Sequence, residues 1–180
     1  MKGWKIALLL WMALLLSGCG GSDGAGMSVV SSVDLQRYSG RWLELAKIPN
    51  RFQADCQRNA SAEYRLLEGG QLEVVNRCIT PSGEEKRANG VARVVERSSG
   101  AKLEVSFVRL LGMPLFWGDY WILALGSGYE YVVVGTPSRQ FGWVLAREPH
   151  LSDEVWREIE QVLEQNGYSL AVFERTLQGD

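Results

Sequence analysis

Val33-Asp34-Leu35-Gln36-Arg37-Tyr38-Ser39-Gly40-Arg41-Trp42-Leu43-Glu44-Leu45-Ala46-Lys47-Ile48-Pro49-Asn50 is the stretch on which the reading of the fold turns. Asp34 starts a helical turn, Gly40 lets the backbone bend, and Trp42 opens a β-rich run that stops at Pro49. Strand alternation then places Trp42, Glu44, Ala46 and Ile48 on one face. A first inward side chain as large as Trp42 is able to plug one end of a small barrel.

Downstream, short β-rich segments alternate with turn chemistry. Residues 60–67 precede Glu68-Gly69-Gly70, 72–79 precede Pro81-Ser82-Gly83, and 90–96 precede Ser98-Ser99-Gly100. Segments 102–110, 120–125, 129–135 and 141–147 follow, and with 41–48 they make about eight strands. This spacing, with no long crossover, predicts an all-β, eight-stranded up-and-down antiparallel barrel, wide enough for one small ligand. The period then changes: Ser152 offers an N-cap, Asp153 and Glu154 fill the first turn, and Val155, Ile159, Val162 and Leu163 recur at helical spacing before Gly167. One C-terminal α-helix packed on the outside of the barrel is expected, too acidic to lie on an anionic leaflet. Residues 170–176 suit a short final strand.

Lys2 and Lys5 precede an apolar run over 6–16, which ends in the small residues of Leu16-Ser17-Gly18-Cys19. Residues 1–18 are thus read as a secretory signal, too short and too interrupted to span a membrane. Leu16-Ser17-Gly18-Cys19 resembles a bacterial lipobox, which implies diacylglycerol on the Cys19 sulfur and a further acyl chain on its new amino group. Two or more such chains hold a protein stably on a bilayer. Gly20 stands where lipoproteins retained in the inner membrane usually carry Asp, so the resemblance implies the outer membrane of a Gram-negative envelope. Residues 19–32 read as the lipidated Cys and a flexible Gly/Ser tether, and 33–177 as one domain.

Composition narrows the function. The formal net charge of -2 loses two lysines with residues 1–18 and becomes about -4, which leaves no basic surface for nucleic acid. The chain has 1 histidine, His150, beside Pro149 at the helix entry. A Ser/His hydrolase is not expected, nor a metal site, because only scattered carboxylates are left as ligands. No cofactor is implied. With Cys19 assigned to the lipobox, Cys56 and Cys78 remain as an even pair in an oxidising compartment and are read as a disulfide contributing about 3 kcal/mol.

Gly40-x-Trp42, with Asp34-Leu35 before it and Trp42-Leu43-Glu44-Leu45-Ala46 after it, resembles the opening signature of the lipocalins. Phe116-Trp117-Gly118-Asp119-Tyr120-Trp121-Ile122-Leu123 is similar to the second signature, built around Asp119-Tyr120, and Gly142-Trp143-Val144-Leu145-Ala146-Arg147 to the third, which ends on Arg147. The resemblance covers the whole domain and is strongest to the bacterial outer-membrane lipoproteins of the apolipoprotein D-like branch. It implies that Arg147 lies across the Trp42 indole and bonds backbone at the closed end, so that Gly40, Trp42, Asp119, Tyr120 and Arg147 are structural. It also raises, as the alternative to a disulfide, the catalytic thiol of the prostaglandin-isomerising lipocalin, which pairing of Cys56 with Cys78 removes.

The expected lining continues from Trp42 and Glu44 through Ala62 and Tyr64, Val74 and Asn76, Leu103, Val105 and Phe107, to Trp143 and Leu145. Glu44, Tyr64, Asn76, Val105, Phe107 and Trp143 are the candidate ligand-binding residues. Glu44, Asn76 and Tyr64 are expected to form one hydrogen-bonded group, serving either a ligand's polar part or the core. A buried methylene contributes about 0.8 kcal/mol, so a cavity of this kind suits a fatty acid, a lysophospholipid or a similar amphiphile. The chain is therefore read as a non-enzymatic, outer-membrane-anchored protein that binds, stores or transports such a ligand, as monomer or homodimer. The apolar run Leu110-Leu111-Gly112-Met113-Pro114-Leu115-Phe116-Trp117 leaves a second reading, an envelope lipoprotein contacting a protein partner or membrane; folded inward, the same run would be a lid.

Overall fold

The computed structural model describes residues 26–179, so the signal segment and Cys19 lie outside the described residues. Strands β1 (Gly40–Lys47), β2 (Arg58–Leu66), β3 (Leu72–Ile79), β4 (Glu85–Val94) and β5 (Lys102–Ser106) follow a single helical turn, α1 (Leu35–Tyr38). A small hairpin, β6 (Val108–Leu110) and β7 (Met113–Leu115), leads to β8 (Gly118–Leu125), β9 (Tyr131–Gly135) and β10 (Gly142–Ala146). Each long strand pairs antiparallel with its neighbour and β10 returns to β1, which closes an eight-stranded barrel with no sheet edge left around its wall. Helix α2 (Asp153–Gln165) follows, capped by Ser152 Oγ accepting from the Val155 amide, and the chain ends through a 3-10 turn, Leu170–Val172, and β11 (Glu174–Arg175) beside β1.

Two apolar cores result from strand alternation. Trp42, Ala62, Val74, Leu103, Ile122 and Leu145 point inward and fill the barrel toward its closed end. Leu45, Ala46, Val133, Val144 and Ala146 point outward and meet Ile159 and Leu163 of α2. Ala46 and Ile48 therefore depart from the expected inward face. The cause is a bulge in β1: Glu44 faces Leu145 across the ladder but Ala46 faces Val144, so Leu45 and Ala46 both turn toward the helix while Glu44 and Lys47 both turn inward.

Other differences are local. β4 begins at Glu85, five positions before the expected start at residue 90, because 85–89 pair with 79–75 of β3 although they are mostly polar. The segment read as one strand over 102–110 breaks at Phe107, and its second part becomes β6. The stretch read as flexible tether is ordered from Met27: that residue is 5% exposed against α2, Ser28 donates its amide to Asn166 Oδ1, and Val30 donates to the Ile122 carbonyl. Met27, Val29 and Val30 supply apolar side chains that the Gly/Ser content of the run obscures.

The closed end is held by backbone capture. Arg147 lies 3.7 Å from the Trp42 ring, its Nη1 donates to the Arg41 carbonyl, and its Nη2 donates to the carbonyls of Arg37, Tyr38 and Ser39. Gly40 has φ +96°, and it is this bend that calls for glycine, since a Cβ there would meet Arg147 Nη1 only at an ordinary contact distance of 3.4 Å. Trp42 Nε1 donates to the Tyr38 carbonyl.

Candidate functional site: the barrel interior and its mouth

The opposite end of the barrel is the mouth, bordered by the 48–56 loop, the 80–84 turn, the β6–β7 hairpin and the 136–141 loop. The 48–56 loop is shaped by Asn50, whose Oδ1 accepts from the Phe52 and Gln53 amides, and it is tied to β3 by the Cys56–Cys78 disulfide, Cα to Cα 5.6 Å. With both sulfurs bonded, neither serves as the catalytic thiol that the family resemblance had raised.

From this loop Gln53 reaches down into the barrel. Its Nε2 donates to Glu44 Oε2 at 2.5 Å, and its Oε1 accepts from Trp143 Nε1 at 2.9 Å. The second carboxylate oxygen of Glu44 accepts from Thr176 Oγ1 at 2.6 Å and lies 3.4 Å from Lys47 Nζ. Glu44 is thus buried with partners on both oxygens, which is what allows a carboxylate to sit inside an apolar wall. The arrangement is a latch: one neutral side chain from the loop joins two inward residues on adjacent strands. Gln53 was not among the residues singled out from sequence, and nothing in its spacing marks it.

The expected single cluster of Glu44, Tyr64 and Asn76 does not form. Tyr64 faces Gly40 across the ladder, so it lies at the closed end, where Tyr38 and Tyr64 hydroxyls each share a hydrogen bond with Tyr120 at 2.7 and 2.9 Å. Burial pushes the Tyr64 phenol up to about 12 and those of Tyr38 and Tyr120 well above the usual value. Asn76 lies farther up the wall between Ala62 and Ala88, and its Oδ1 is buried with no hydrogen-bond partner. Three polar side chains on one face thus fall into three separate settings, because the strands are staggered and β1 bulges after Glu44.

Val105 faces Ala92 and packs against the inner core, and Trp143 does the same beneath Gln53. Phe107 lies at the rim, 40% exposed, with its ring over Gly90, where a Cβ would meet the ring at 2.7 Å. Asp119 is exposed on β8 opposite Glu104, one position before buried Tyr120. A cavity of about 430 Å³ opens between the 48–56 loop and the ends of β1 and β11, lined by Lys47, Asn50, Arg51, Gln53 and Glu174 among others. The mouth is therefore polar on the side of the 48–56 loop and apolar on the side of Phe107 and the β6–β7 hairpin.

Residues 33–178 match the lipocalin-like domain family model. Outer membrane lipoprotein Blc of Escherichia coli (strain K12) is 33% identical over 149 residues, 82% of this chain and 81% of that protein. Apolipoprotein D of Mus musculus is 35% identical over 151 residues, 79% of this chain and 75% of that protein. The insecticyanin structure from the tobacco hornworm Manduca sexta superposes with a TM-score of 0.67 at 18% identity, covering 83% of each chain, a likeness of fold. The chain belongs to the lipocalin family.

Proposed function

We propose that this lipocalin is a lipid-anchored envelope protein that takes a single-chain amphiphile, a fatty acid or lysophospholipid, into its barrel. The observation that carries the reading is Asn76 Oδ1, a buried acceptor without a donor on the inner wall between Ala62 and Ala88. Leaving such a group unmatched costs about 1–3 kcal/mol, and a hydroxyl-bearing ligand would match it. The glycerol hydroxyl of a lysophospholipid has that chemistry. Below the rim the wall offers hydrocarbon contact, while Lys47 and Arg51 at the rim suit an anionic or zwitterionic head. The role is binding rather than catalysis.

The anchor is Cys19, supported by Leu16-Ser17-Gly18-Cys19 and by the likeness to a protein named as an outer membrane lipoprotein. Native mass spectrometry of the protein extracted from its own envelope tests the ligand: one amphiphile per barrel is expected, and a chain that stays empty when offered palmitate and lysophosphatidylethanolamine sinks the reading. Cys19→Ser is expected to abolish acylation and release the protein from the membrane fraction.

A further inference from the structure

The mouth is unusual for the surface of a water-soluble barrel. Of the large apolar side chains exposed among the described residues, all but Val172 and Leu177 belong to the 48–56 loop or to 107–116. Leu111 is 90% exposed and Phe116 82%. The hairpin is not an inward lid, since β6 is exposed at every position. Leu111 and Phe116 also sit at φ +51° and +58°, a region where Gly or Asn is far cheaper than a bulky apolar residue. The chain holds apolar side chains in a strained backbone in order to show them to solvent, a pattern that points to contact rather than to packing.

The course of the N-terminal segment says what covers them. Val33 bonds the closed-end loop at Ser99, Val30 bonds Ile122 halfway along β8, and Ser28 bonds Asn166 at the end of α2. Asn166 in turn accepts from Arg139 of the 136–141 loop, which borders the mouth. The strap at 27–30 therefore climbs the outer wall and delivers residue 26 to the open end. Eight residue steps separate Cys19 from Met27. Fully extended, they reach at most about 28 Å, roughly the length of the barrel wall, so an anchor at Cys19 has slack at the mouth and reaches the closed end only at full extension.

We propose that the open end docks on the bilayer, with the β6–β7 hairpin set among the lipids and the barrel mouth facing them. This rests on the anchor at Cys19. The segment 107–118 holds Arg109 and no acidic residue, so it meets a negatively charged leaflet without repulsion, and Arg109 can extend its guanidinium to phosphate while the neighbouring side chains enter the acyl boundary. Amphiphiles would then pass between membrane and barrel without crossing water.

The test uses the full acylated protein in phosphatidylethanolamine–phosphatidylglycerol vesicles. With Cys19 acylated and Cys56 and Cys78 paired, Leu111→Cys supplies the free thiol for a nitroxide, and Glu68→Cys, at the closed end, supplies the reference. The label at 111 is expected to collide with oxygen in preference to a water-soluble nickel chelate, and the label at 68 to show the reverse order. Phe116→Asp, a residue well suited to positive φ, should lower vesicle partition of the hairpin by about tenfold and shift the 111 label toward water. A label at 111 as water-accessible as that at 68 overturns the docking; so does one shielded from both reagents, which signals a second copy instead. The anchor is read separately by acylation of Cys19. If acylation is missing yet added vesicles still bury the 111 label, the docking stands without the anchor; if acylation is present and the label stays in water, the anchor stands and the docking falls.

Discussion

Gln53 and Trp143 meet through one hydrogen bond, 2.9 Å from indole nitrogen to amide oxygen, that joins a surface loop to the inner wall of the barrel. Because the same amide also donates to Glu44, this side chain joins the 48–56 loop to two strands of the inner wall, beside the disulfide that ties the loop to β3. Gln53→Ala is expected to leave the barrel folded, at a cost of about 1–2 kcal/mol, while amide exchange across 50–55 accelerates and ligand enters faster. Stopped-flow fluorescence of Trp143 with lysophosphatidylethanolamine checks this; an unchanged entry rate means that the loop does not gate the mouth.

At the other end, Arg147→Met removes a charged donor set from the carbonyls of 37–41 and the stack on Trp42. The loss is expected to reach about 3 kcal/mol or more in urea unfolding, with Arg147→Lys rescuing little, because an ammonium lacks the planar fork.

Asn76→Leu gives an opposite sign. Replacing a buried, unmatched amide by an apolar side chain of similar volume is expected to stabilise the empty protein by about 1 kcal/mol and to weaken uptake of a hydroxyl-bearing amphiphile. Thermal unfolding with and without ligand separates the two effects, and a destabilised empty variant would mean that the amide is satisfied in solution.

The tyrosine cluster predicts the alkaline limit. Tyr38, Tyr64 and Tyr120 are held neutral in the fold to higher pH than in the unfolded chain. Their contribution is complete below about pH 10, where unfolded tyrosines begin to ionise, and is lost as pH rises toward about 12. Phenolate absorbance and far-UV dichroism should change together over that window, and Tyr120→Phe should move the midpoint.

Cys78→Ser is expected to lower stability by about 2–5 kcal/mol and to loosen the 48–56 loop, which the disulfide ties to β3. Comparing urea midpoints under oxidising and reducing conditions gives the same quantity in the unmutated chain.

Much of this architecture was legible in the chain. Gly40, Trp42 and Arg147 carry a bend, a plug and its cover, and the change from strand to helical period near Ser152 marks where the barrel wall stops. What stayed hidden depends on relations between strands rather than within them. The bulge after Glu44 turns Ala46 and Ile48 away from the interior, yet Leu45 and Ala46 are unremarkable strand residues. Tyr64 reads as a lining residue until register sets it opposite Gly40, and Gln53 acquires a role only because a loop folds back on Glu44. The strap at 27–30 was masked by its Gly/Ser surroundings.

The seam beside β1 has a consequence for how the chain matures. Glu44 is completed by Thr176 Oγ1, and Gln178 Nε2 bridges the carbonyls of Glu44 and Ala60, partners 132, 134 and 118 positions apart. β1 likewise waits for β10 before the cylinder can shut. β1 can pair with β2 early, but its other edge thus has no partner until nearly all of the chain is made. The seam is therefore the last part of the cylinder to close, and a chain cut short before Thr176 would leave Glu44 inside the wall without one of its partners.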